Sequence, residues 1–70
     1  MNPTAGYYRE GDSVLYVSEA GAVYYVSGPD TPEPAWRPCE GLGGDARPRK
    51  PGAEELGAFE RARKAYGIAA

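Results

Sequence analysis

Two apolar runs separated by a short polar loop dominate the chain: Ser13–Ser18 reads SVLYVS, Ala22–Ser27 reads AVYYVS, and Glu19-Ala20-Gly21 lies between them. Runs rich in β-branched and aromatic residues predict strands. A three-residue loop ending in Gly predicts a hairpin closed by a type I turn and a glycine bulge, because Gly accepts positive φ at the third position. Pairing across that loop sets Val17 opposite Val23, Tyr16 opposite Tyr24, Leu15 opposite Tyr25 and Val14 opposite Val26. One face then carries Leu15, Val17, Val23 and Tyr25, and the other Val14, Tyr16, Tyr24 and Val26. A surface hairpin alternates apolar with polar residues. This one is apolar on both faces, so both are expected to be covered.

An isolated hairpin is marginal in water. Tyr7–Glu10, followed by a Gly11-Asp12 turn, is positioned to add a third strand, and residues 1–6 read as a loose tail. Residues 28–52 are dense in Pro and Gly and exclude long regular elements. Within them Ala35-Trp36-Arg37, bounded by Pro34 and Pro38, reads as a short edge strand. The pattern then changes to a helical one over residues 53–66. Gly52 stands at the N-cap, Glu54 and Glu55 fall in the first turn, and Arg61, Arg63 and Lys64 fall toward the C-terminal end, as the helix dipole favours. Leu56, Phe59, Ala62 and Tyr66 line one face, and Gly67 is placed to end the helix with Ile68 folding back onto the last turn. The expected fold is α+β: a two- or three-stranded antiparallel sheet built on hairpin 13–27, with one C-terminal amphipathic helix on one face. It forms a single small domain with a meander over 7–27, a crossing segment over 28–52 and a helical end over 53–67.

Composition makes this core thin. In 70 residues there are one Phe, one Trp and six Tyr, and only a few large aliphatics. Tyr and Trp supply area, yet each brings a polar group that wants a partner. Stability gained by dimerising or by binding a partner is the corollary. Charge is uneven: residues 1–45 hold two cations against seven carboxylates, and residues 46–70 hold six cations against three. Opposite charge favours docking of the two halves on each other. Cys39 is the single cysteine, which excludes an internal disulfide and suits a reducing compartment. With neither a signal-peptide pattern at the start nor an apolar stretch of membrane-spanning length, a cytoplasmic location is expected.

The inventory argues against catalysis. Without histidine there is no imidazole base, and one cysteine cannot supply a zinc site. Glu54-Glu55 serve the helix dipole, and Gly41-Leu42-Gly43-Gly44-Asp45 matches no phosphate-binding loop. No enzyme activity, cofactor or metal is therefore expected. Two binding chemistries remain. Val14, Tyr16, Tyr24, Val26 and Trp36 make an aromatic–aliphatic set suited to contact with a larger protein or a second copy. Arg47, Arg49 and Lys50 form the one basic cluster, the alternative contact for nucleic acid. The sequence reading is a non-catalytic protein-binding module, a small inhibitor or adaptor of a larger protein, in its most concrete form an inhibitor that a phage or mobile element directs at a host defence system. A nucleic-acid-binding protein and a structural or assembly subunit are the alternatives.

Overall fold

A computed structural model describes residues 4–31 and 33–68. Five strands form one antiparallel sheet: β1 (Gly6–Glu10), β2 (Ser13–Val17), β3 (Val23–Ser27), β4 (Arg37–Cys39) and β5 (Arg47–Pro48), in the order β4-β3-β2-β1-β5. Helix α1 (Ala53–Ala65) follows. The fold is α+β as expected, but the sheet has five strands rather than two or three. The extra two come from the Pro/Gly-rich region, where each is too short to carry a pattern of its own. Of the tail expected over 1–6, Gly6 already belongs to β1, and residues 1–3 lie outside the described residues.

The hairpin follows its expected register at Leu15–Tyr25, Tyr16–Tyr24 and Val17–Val23. It departs at the next pair, where Val14 faces Ser27 and not Val26. A bulge there inserts Val26 and keeps it on the same side as Val14. At the loop, the Gly21 N–H donates to the Ser18 carbonyl (3.0 Å), and Gly21 sits at φ 92°, the left-handed conformation a closing glycine supplies. The Ser18 hydroxyl accepts from the Ala22 N–H at 3.0 Å, so this buried serine is satisfied within the turn.

Helix α1 lies on the face of Val14, Tyr16, Tyr24 and Val26, burying Phe59 and packing Ala62 and Ile68 alongside. Leu56 and Tyr66, expected on that face, are instead exposed. Tyr66 is the C-cap and not a residue of the last turn. Gly67 at φ 73° turns the chain back in a Schellman closure, with the Ile68 N–H donating to the Arg63 carbonyl and the Gly67 N–H to that of Lys64, both at 3.1 Å. Ile68 takes the place expected for Tyr66.

Trp36 joins the helix on this first face. The Ala35 N–H bonds the Val26 carbonyl at 2.7 Å, and the chain then turns at Trp36 with φ 50° before entering β4. A bulky residue in the left-handed region is strained. The turn is held because it drops the indole into the core, where it is 2% exposed and its Nε1–H donates to the Phe59 carbonyl at 3.0 Å. The expected strand therefore begins one residue later than Trp36, at Arg37, and includes Pro38.

The second face carries Leu15 and Val17, both buried, with Leu15 in a cross-strand row with Tyr8, Tyr25 and Arg37. Strands β4 and β5 occupy opposite edges, so residues 40–46 must traverse the sheet. The Gly43 N–H donates to Oε1 of Glu10 at 2.6 Å, and Glu10 alternates onto the same face as Tyr8, which places the strap on this second face. Leu42 is its half-buried residue. Both outer strands contain a proline, Pro38 and Pro48, which removes a backbone donor from each edge.

Candidate functional site

Tyr7, Tyr16 and Tyr24 form one cross-strand row on the helix-bearing face. Tyr7 and Tyr16 approach to 4.9 Å between ring centroids, and Trp36 stands over all three tyrosines at 6.2, 5.2 and 5.9 Å. The row exists because tyrosine recurs on one side of three adjacent strands, and it works as a platform for the helix. The Tyr7 hydroxyl donates to Oε2 of Glu60 at 3.2 Å, and Arg63 donates to the same carboxylate through Nε (3.2 Å) and Nη2 (2.6 Å). Arg63 also reaches the Ile68 carbonyl at 2.9 Å and so ties the helix end to its cap.

The hydrogen bonds from Arg63 hold the Glu60 carboxyl below its usual range, against a smaller opposing effect of burial. Burial, reinforced by the Glu60 charge, pushes the Tyr7 hydroxyl well above the usual tyrosine range. A raised folded-state pKa contributes stability below the unfolded value of about 10, and that contribution fades as pH rises above it. The thermal midpoint is expected to fall above about pH 10, and Tyr7→Phe to flatten that fall. Melting curves of both proteins across that range check this; a Tyr7→Phe protein as alkali-sensitive as the parent contradicts it.

Of the residues read as a protein-contact set, the structure brings all five together, and it brings them together in the core. Val14, Val26 and Trp36 are buried, and Tyr16 and Tyr24 are half-buried against them. Trp36 and the helix cover that face from within the chain. The basic cluster is split. Arg49 is paired with Glu55 of the helix at 2.6 Å, and its N–H bonds the Tyr7 carbonyl at 3.0 Å. Arg47 is exposed on β5, with Nη1 donating to the Gly44 (3.3 Å) and Ala46 (3.0 Å) carbonyls, and Lys50 is exposed beyond it. Cys39 is exposed on β4, its thiol 3.6 Å from the Gly41 carbonyl.

Two features were hidden from the sequence. The first is that, among the described residues, Leu56 and Tyr66 are the large apolar side chains left outside, at 39% and 59% exposure. Helical spacing had put them inside. The second is Arg9, which stands directly opposite Arg47 across the β1–β5 pair. Distance along the chain conceals that pairing, and only the position of β5 reveals it.

Among the described residues no cavity is enclosed, no group of His, Cys, Asp or Glu is arranged to hold a metal ion, and no helix is long and apolar enough to cross a membrane. No protein-family model, curated protein or solved structure matches the chain.

Proposed function

We propose that the protein is a non-catalytic protein-binding module, a small inhibitor or adaptor of a larger protein, with its contact surface on the flank of α1 that carries Leu56 and Tyr66. The observation behind this reading is the exposure of these two side chains, while the other large apolar groups of the described residues are buried wholly or in part. Leu56, Arg63 and Tyr66 follow one another at spacings of seven and three residues, so they share one side of the helix. Arg63 is immobilised by Glu60 and the Ile68 carbonyl, which leaves a rigid polar point between two apolar anchors. A helix presenting anchors at such spacing suits a groove on a partner. The histidine-free sequence agrees with a role in binding rather than in chemistry.

The test is capture of a partner from the native host by the tagged chain, followed by affinity measurement on the purified pair. Leu56→Ala and Tyr66→Ala are each expected to weaken binding by more than about 1 kcal/mol, as interface anchors do. Neither is expected to move the thermal midpoint much, because exposed positions change stability by only about 0.5 kcal/mol. Sedimentation of the chain alone separates a second copy from a different protein. Unchanged affinity in both variants overturns the assignment of this surface.

A further inference from the structure

The arginine pair at the sheet edge points to what a partner brings to it. Arg9 and Arg47 face each other across β1 and β5, in the register that sets Cβ atoms about 5 Å apart on one face. Like charges directly opposite in a sheet are destabilising. No carboxylate of the described residues lies within ion-pairing distance of either; the two ion pairs present are Arg49–Glu55 and Arg63–Glu60. The contrast with Arg49 is informative. It is two residues along the chain from Arg47 and is neutralised by the helix, whereas Arg9 and Arg47 are both exposed and outside the ion pairs of the described residues. Arg47 is also steadied from behind by two loop carbonyls, so its guanidinium is held at the edge rather than sweeping through solvent.

We infer that Arg9 and Arg47 form a docking point for a carboxylate-bearing, acidic segment of a partner protein. The inference rests on the protein-binding reading and adds a second contact, on a different element from the helix flank. Two arginines paired across the strands, each with guanidinium donors not used within the chain, suit a carboxylate. A nucleic-acid backbone offers anions too, but it needs an extended run of cations. Here the pair is bordered in sequence by Glu10 and Asp45, so no such run continues from it. A single acidic segment fits a small, isolated pair; a polyphosphate does not.

A labelled oligoglutamate peptide, titrated into the full chain at low salt, is the probe, with duplex DNA as the comparison. Binding is expected to weaken roughly five-fold in Arg9→Gln and in Arg47→Gln, the upper range for an exposed ion pair, with Arg9→Lys between the parent and Arg9→Gln. Lys64→Gln, which removes an exposed cation from the helix, is expected to leave it unchanged. Circular dichroism confirms that each variant is folded, and removing one arginine also relieves the cross-strand repulsion. Absence of peptide binding, an equal loss in Lys64→Gln, or tighter arginine-dependent binding to DNA than to peptide overturns the inference. Since the assay does not engage the helix flank, its failure leaves the Leu56–Tyr66 result to stand or fall separately.

Discussion

Trp36→Ala is expected to remove a large part of the protein's stability. The indole is 2% exposed, contacts three tyrosine rings and donates to the Phe59 carbonyl, so its removal opens the centre of the helix–sheet interface. Truncating a buried aromatic to Ala costs about 3–5 kcal/mol. A folded chain of 70 residues has a total stability of roughly 4–10 kcal/mol. The backbone supplies an internal control. Trp36 sits at φ 50°, a conformation that costs an L-residue about 1–2 kcal/mol and that glycine adopts without strain. Trp36→Gly is therefore expected to be less damaging than Trp36→Ala by about 1 kcal/mol, the reverse of the usual order at a buried position. Urea denaturation of the two variants checks the order. If Ala is the better tolerated, the left-handed turn is not adopted in solution.

Phe59→Ala is expected to have an effect of similar size through a different loss. Phe59 is the buried side chain of α1, 3% exposed, with its ring 5.3 Å from that of Tyr7. The substitution removes the ring but keeps the carbonyl that accepts from Trp36, so the cost of about 3–5 kcal/mol measures packing alone. Phe59→Leu, which retains much of the volume, is expected to cost less than about 2 kcal/mol. Because the helix docks through this one buried residue, helical circular dichroism and the burial of Trp36 should be lost together in Phe59→Ala. An unchanged unfolding midpoint would mean that α1 is held by its polar ties: Tyr7 to Glu60 and Arg49 to Glu55.

The hairpin and the helix were legible because each repeats a pattern over several residues. Three hairpin pairs and the positive φ at Gly21 follow from alternation and loop length. The bulge at Val14 does not, since an inserted residue leaves alternation intact on either side of it. Strands β4 and β5 hold three and two residues, each with a proline, so their strand character comes from the neighbour they pair with. The buried face of the helix differs from the expected one for a related reason. Helical spacing marks a stripe but not its edges. Phe59 and Ala62 lie at the centre of the stripe, while Leu56 at one margin and Tyr66 beyond the last turn fall outside. Likewise, alternation showed that both apolar faces need a cover, but not which segment covers which. Trp36 joins the helix over the first, and residues 40–46 cross the second.

That crossing has a consequence for the order in which the chain can fold. Strands β1, β2 and β3 are consecutive neighbours joined by tight turns, so their contacts are local and form early. The pairing of Arg9 with Arg47 closes a loop of nearly forty residues and cannot begin until the segment before it has been laid across the sheet. Until then Leu15 and Val17 stay wet and the outer side of β1 stays unpaired. A meander formed ahead of that closure exposes an apolar face and an unpaired edge, the two features through which partly folded chains associate.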